Sequence, residues 1–395
     1  MHAQYDKLCR ARDIITYMKR VNLDEKLIQT KREDIINLAV EALEKSGLVI
    51  YPTETCYGIA ADATNQAAVD KLLRYKSRRE GKPISIAVLD ESMARNYAEI
   101  NEIAHSIYAN FLPGPITVVS KAKDTLADGV SSEFTTIGIR IPDYPLVLEI
   151  IKKLGRPITA TSANISYNPR PYNIDKYLKE TPEKHLKHID LIIDAGILKP
   201  NDPSTVVDTT LNNMNVMRQG RIILSKQTSE KDPVLSAITN KPEETVDFGG
   251  LNMLKFIDVP LEQPLVFLLS GELGAGKTQF SKGVGKQLGI DRIIKSPTYN
   301  IMSEYNYDQG HRAGKLIHVD FWKLDNYDLL KLNEYMRPGN VLIIEWADKF
   351  LSEMLDDFDK SSAKVIHVVF KPESLTSRSI KSYEIKEGEL LQNDG

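Results

Sequence analysis

LLSGELGAGKTQF, residues 268–280, continues the apolar run PLVFLLSG at 264–271 and leads into the helix-forming run GKTQFSKGVGKQL. Gly271, Gly276, Lys277 and Thr278 stand at the spacing G-x-x-x-x-G-K-[ST]. Glycine, lacking a Cβ, permits a backbone path that aims successive N–H groups inward, and the helix that follows adds its positive end. The loop Gly271, Glu272, Leu273, Gly274, Ala275 and Gly276 would then cradle phosphates. Lys277 sets a compact charge against the terminal phosphates, and the Thr278 hydroxyl offers a ligand to Mg²⁺. A strand before and a helix after predict an α/β nucleotide-binding domain around this loop.

More than half of the 395-residue chain precedes the loop, and a chain of this length favours two domains. The hydrophobic share of 42% and charged share of 27% are those of globular proteins. No apolar run reaches the roughly 20 residues of a membrane span, and the charged start MHAQYDKLCRARDIITYMKR has no signal-peptide core. These features predict a cytoplasmic protein without a membrane partner. Cys9 and Cys56 are too few and too far apart for a disulfide framework or a C-x-x-C metal site. A net charge of −3 leaves no global basic field for nucleic acid. His318 and Asp320 form a His/Asp pair at strand spacing, and the structural reading of that pair is preferred over a ligand set.

Periodicity divides the chain. Residues 5–20 suggest a short helix within an N-terminal extension, 1–30. KREDIINLAVEALEKSG reads as an amphipathic helix stopped by Gly47. GLVIYPT (47–53), PISIAVL (83–89), ITVVSKA (116–122), TIGIRIP (136–142), PITATSA (157–163), DLIIDAG (190–196) and STVVDTT (204–210) are strand candidates, with helical runs such as NQAAVDKLLRYK between them. Their irregular spacing predicts a mixed, twisted sheet over 31–225. SKQTSEKDPVLSAITNKPEETV is polar and proline-bearing, so a linker is expected at 226–245 and a second domain at 246–395.

In the second domain, Asp320 closes IHVDFW and Glu345 closes LIIEWA, both at strand ends that meet beside the phosphates in such a fold. Either acid could cap its strand, but together they suit a metal site. No arginine finger and no guanine-recognition motif stands out. GELGAGKT, SPTY, HVDFWKL and IIEWAD, in this order, resemble TsaE, the small P-loop ATPase of bacterial tRNA threonylcarbamoyladenosine synthesis. The resemblance implies that Lys277 and Thr278 hold ATP and Mg²⁺, with Asp320 and Glu345 on the metal side. Where that family reads Tyr-Arg, this chain has Trp322 and Lys323.

The first domain has no P-loop. Lys76, Arg78 and Lys82 crowd YKSRREGKP, a run that taken alone reads as solvated loop surface or as an anion rim. YPTETCYG, PGPIT, ATSANIS, DPSTVVD and VMRQGR add short polar groups at strand ends, as a concave site for a polar ligand requires. This ordered set resembles the TsaC/YrdC family of threonylcarbamoyl-AMP synthases. The resemblance implies an open twisted mixed sheet around a basic cavity, and a reaction of L-threonine, bicarbonate and ATP that releases pyrophosphate. It implies Lys76, Arg78 and Lys82 as catalytic cations and Thr53, with Arg78, at the threonine site. Lys76, Thr117, Ser162, Asn164, Ser204 and Arg218 would line the nucleotide site. The family's His and Gly are replaced around Tyr144 and Ser166.

The expected protein is thus an α/β fusion of two enzymes acting on one tRNA modification. Its partners would be a TsaB–TsaD-type transferase complex and, through that complex, tRNA. The alternative is an RNA-binding regulator in which the P-loop is a nucleotide-gated switch. RNA binding by cation clusters would weaken steeply with salt, whereas adenylate synthesis would require threonine and bicarbonate.

Overall fold

The computed structural model describes residues 18–23, 25–77, 83–165, 168–211, 213–222, 232–297, 300–350, 354, 358, 361–374 and 376–385. It divides into two compact units, Met1–Thr210 with Met217–Leu224, and Leu211–Val216 with Ser225–Gly395. Both are α/β, as the pattern predicts.

In the first unit the strands distribute over two mixed sheets. One runs Lys19–Asn22, Leu191–Asp194, Val49–Tyr51, Gly58–Ala60, Thr161–Ser162, parallel over the first three and antiparallel after. The other carries Thr205–Asp208, Ile116–Ala122, Thr136–Arg140, Ile86–Ala87 and Ile158–Thr159. PITATSA therefore serves both sheets, changing from one to the other at Ala160. The helix expected at 5–20 falls mostly outside the described residues. Its last positions, Lys19 and Arg20, belong instead to an edge strand paired with Leu191 and Ile192.

The helix Pro145–Leu154 shows why these segments take the form they do. Proline opens it, Gly155 closes it at φ 70°, and Leu146, Val147, Ile150, Ile151 and Leu154 form one buried stripe. That stripe packs with Ile35, Ile36, Ala39, Val40 and Leu43 of the helix Glu25–Glu44. The helix Gln66–Lys76 is capped by Asn65, whose side chain accepts from Ala68 N, and it buries Ala68, Val69, Leu72, Tyr75 and Lys76. It ends at Ser77, φ 48°, so Lys76 is the last helical residue.

The second unit is one sheet ordered Leu235–Thr239, Arg378–Ile385, Lys364–Pro372, Leu265–Ser270, Asn340–Glu345, Ala313–Asp320, Met302–Asp308. Leu265–Leu269 is wholly buried, with parallel neighbours on both sides, as a continuous apolar run requires. The expected linker at 226–245 corrects in part. Leu235–Thr239 is an edge strand antiparallel to Arg378–Ser382, and a helix starts at Pro242. Leu235, Ala237 and Thr239 face inward by period two, an alternation that the polar flanks obscure.

Two helices, Pro242–Lys255 and Lys277–Gln287, meet through glycine. A Cβ on Gly283 would stand 1.9 Å from Val246 O, and one on Gly249 2.1 Å from Phe280 O. A Gly283→Ala substitution should therefore destabilise this unit by about 3 kcal/mol, lowering its melting temperature by roughly 6–12 °C. Calorimetry of the full chain reads this, and an unshifted thermogram would show that the helices are not in backbone contact.

Candidate functional site

The strand Leu265–Ser270 delivers the chain to a loop that only glycine can follow: Gly271, Gly274 and Gly276 adopt φ of 148°, 79° and 105°. Lys277 begins the helix and is buried. Its Nζ donates to Gly271 O at 2.7 Å and Glu272 O at 2.9 Å, and stands 3.8 Å from the centroid of the Trp346 ring. Burial lowers the pKa of this amine, opposed by the charges of Glu345, Asp348 and Asp320. The Thr278 hydroxyl donates to Glu345 Oε1 at 3.0 Å.

Asp320 and Glu345 are register partners at the ends of adjacent parallel strands. Asp320 accepts from Ser296 Oγ at 3.3 Å and from Trp322 N at 2.8 Å. His318, fully buried, holds Glu345: its Nε2 lies 2.9 Å from Oε1, and its Nδ1 has no partner. The His318–Asp320 pair is thus no shared ligand set; the histidine orients the second acid. Thr278, Asp320 and Glu345 are hard oxygen donors of the kind Mg²⁺ prefers. Among the described residues no cluster of three or more His, Cys, Asp or Glu could hold a metal unaided, and water and phosphate oxygens would complete a Mg²⁺ shell here. Thr298 and Tyr299 of SPTY lie outside the described residues.

In the first unit the predicted residues gather into three groups. Lys76 Nζ donates to Ser162 O and Asn164 O, both at 2.7 Å, and the Ser162 hydroxyl donates to Asn164 Oδ1. Thr117 Oγ1 lies 2.9 Å from Ser204 Oγ, and Arg218 Nη2 donates to Ser204 O at 2.9 Å and to its hydroxyl at 3.1 Å. Thr53 closes a hydroxyl turn, accepting from Thr55 N and Cys56 N and donating to Cys56 O at 2.7 Å. Arg78 and Lys82 fall outside the described residues, as does Ser166. Tyr144 packs on the apolar cluster beneath the helix it precedes.

Electrostatics ties these groups to residues the motif reading passed over. Although Arg218 is exposed as a residue, desolvation of its guanidinium, with the charges of Arg170 and Arg140, pushes it down to about 10. Arg140 pairs with Glu54, and both side chains are nearly enclosed. Arg170 lines a cavity of about 470 Å³ with Tyr172, Asn201, Asp202 and Arg221. Arg140 ends the strand Thr136–Arg140 and Glu54 sits inside YPTET. A charge at the end of an apolar strand was the signal available for Arg140; nothing local marks Arg170. Such a pocket can hold anions and polar groups in place, and proton transfer is not its evident task.

A family model described as telomere recombination, the Sua5/YciO/YrdC group, matches residues 41–220. A second, described as threonylcarbamoyl adenosine biosynthesis protein TsaE, matches residues 239–380. A Methanocaldococcus jannaschii protein named provisionally as a threonylcarbamoyl-AMP synthase is 36% identical over 200 residues, 51% of this chain and 92% of that protein. Threonylcarbamoyl-AMP synthase of Bacillus subtilis is 32% identical over 191 residues, 47% of this chain and 53% of that protein. The crystal structure of Escherichia coli YciO aligns with a TM-score of 0.45 at 25% identity, covering 51% of this chain and 95% of that one.

Beside the P-loop, His367 Nε2 lies 2.8 Å from Ser270 Oγ, and burial pushes the imidazole down to about 4. A base whose folded pKa is depressed stabilises the fold fully above its unfolded pKa, and that stability is lost as pH falls from about 6.5 toward 4. The second unit should lose about 2 kcal/mol from this group between pH 7 and pH 5, and His367→Gln should flatten that slope. Urea melts at the two pH values measure it; equal slopes in both proteins would refute the assignment.

Proposed function

The chain belongs to the Sua5/YciO/YrdC family, and from that premise we propose that its first unit makes L-threonylcarbamoyladenylate from L-threonine, bicarbonate and ATP. The observation that carries this reading is the convergence of Lys76, Ser162 and Asn164, and of Thr117, Ser204 and Arg218, within one unit that also holds Arg140 and Arg170. The threonine amine attacks the carbon of bicarbonate, a C–O bond breaks, and water leaves to give the carbamate. A carbamate oxygen then attacks the ATP α-phosphorus, the bond to the bridging oxygen breaks, and pyrophosphate leaves. Two anions must meet, so charge compensation and positioning do most of the work. Lys76, held by two carbonyls, would supply such a charge. Arg78 and Lys82 extend the cation set in this proposal, Thr53 lies at the threonine end, and Arg218 with Ser204 and Thr117 takes the nucleotide.

The second unit, which starts ahead of the 246–395 expected from the sequence and includes the strand Leu235–Thr239 and the helix from Pro242, acts as a TsaE-type ATPase. Lys277 bears on the terminal phosphates of ATP, and Thr278, Asp320 and Glu345 would hold Mg²⁺, which supplies charge neutralisation on the phosphates. His318 keeps Glu345 aimed at that position. Turnover here would support a TsaB–TsaD-type transferase in the cytoplasm, which delivers the threonylcarbamoyl group to tRNA. Fusion of the two units would raise the local concentration of adenylate at that complex.

Pyrophosphate release by the full chain should depend on threonine and bicarbonate, and Lys76→Ala should lower it about a hundredfold. Threonine-independent release, or release sensitive to RNA and salt instead, would overturn the synthase reading. Lys277→Ala should abolish the threonine-independent release of inorganic phosphate, with pyrophosphate release in the same sample as the control for folding. Loss of both signals would show that the two units do not divide the chemistry in this way.

A further inference from the structure

Arg378 opens the strand Arg378–Ile385 and pairs with Pro372 on one side and Thr239 on the other. Pro372 ends the strand Lys364–Pro372, which runs parallel to the strand entering the P-loop. Arg378 is therefore raised to the edge of the sheet where Gly271–Gly276 lies. A Cβ on Gly276 would stand 3.5 Å from Arg378 Nη1, with Thr245 Cγ2 at 3.2 Å. The side chain is half-buried, and among the described residues it has neither an ion pair nor a side-chain hydrogen bond. A half-buried guanidinium left unpaired beside a phosphate-cradling loop has a ready use for its donors, because its planar fork matches phosphate oxygens.

The sheet also says which part of a nucleotide this cation addresses. In spatial order the strands run Arg378–Ile385, Lys364–Pro372, Leu265–Ser270, Asn340–Glu345, Ala313–Asp320. Asp320 and Glu345 lie on one flank of the P-loop strand and Arg378 on the other. The acids mark the metal and terminal-phosphate flank. We propose that Arg378 is a second cation of the nucleotide site, gripping the phosphate chain from the flank opposite the acids at the level of Gly276. It serves phosphates that ATP and ADP share. The proposal rests on the reading of Gly271–Thr278 as a nucleotide site, and it supplies in cis an arginine that no motif in the sequence marked.

The chain has two tryptophans, Trp322 and Trp346, with ring centroids 4.4 Å apart and planes tilted by 43° in the second unit, and Trp346 lies against Lys277. Their emission reads the P-loop site of the full chain even while the first unit also binds ATP. Titrations with ATP and with ADP would compare the wild type, Arg378→Ala, Arg378→Lys and Lys277→Ala. Arg378→Ala should weaken both nucleotides about tenfold at an unchanged melting temperature, and Arg378→Lys should recover part of the loss. Unchanged affinity in Arg378→Ala, a loss confined to ATP, or an equal loss in Arg378→Lys with a lowered melting temperature would overturn the proposal. If ATP leaves wild-type emission unmoved and Lys277→Ala matches it, the nucleotide reading fails, and this proposal fails with it.

Discussion

An ammonium taken out of water must recover its hydration from fixed dipoles, and both units of this protein are built around that requirement. Lys76 and Lys277 are each buried, and each sits at one end of a helix. Each amine is held by two backbone carbonyls, Ser162 O and Asn164 O for the first, Gly271 O and Glu272 O for the second. Carbonyls satisfy the donors without cancelling the charge. Each amine is thereby fixed in place, the preorganisation that the proposed phosphate and carbamate sites call for.

The two units reach this condition by different routes. In the second, local sequence does it: glycines at φ of 148°, 79° and 105° shape a loop whose carbonyls and amides come from consecutive residues. In the first, the helix Gln66–Lys76 supplies the amine and a distant segment, Thr161–Ser162 with Asn164, supplies the acceptors. The first arrangement also concentrates like charge. Desolvation first, and then the charges of Arg170 and Arg140, lower the Arg218 pKa, while Arg140 is paired with Glu54.

The acids of the second unit show how far a sheet adds to a motif. Asp320 and Glu345 are separated by 24 residues of chain, yet parallel pairing makes them neighbours. Glu345 in turn is fixed by Thr278 and His318, so a hydroxyl, an acid and an imidazole form one connected set, with Asp320 beside it in register. His318, which reads as structural in the sequence, holds the Glu345 carboxylate in place.

From the amino-acid order alone came the α/β class, two domains, nearly every interior strand and the P-loop with its strand and helix. These follow from local causes: period, apolar runs, and glycines at positions that demand positive φ. The same order also brought Lys76, Ser162, Asn164, Thr117, Ser204 and Arg218 into view, because each sits at a strand or helix end beside small polar residues. Left to the tertiary structure were the edge strands Lys19–Asn22 and Leu235–Thr239, whose partners Leu191–Asp194 and Arg378–Ser382 lie far along the chain. So were Glu54, Arg140, Arg170 and Arg378, charged residues in no phosphate-binding pattern of their own. Their significance is a matter of proximity, and proximity between distant segments is set by sheet pairing and core packing, which no short stretch of sequence encodes.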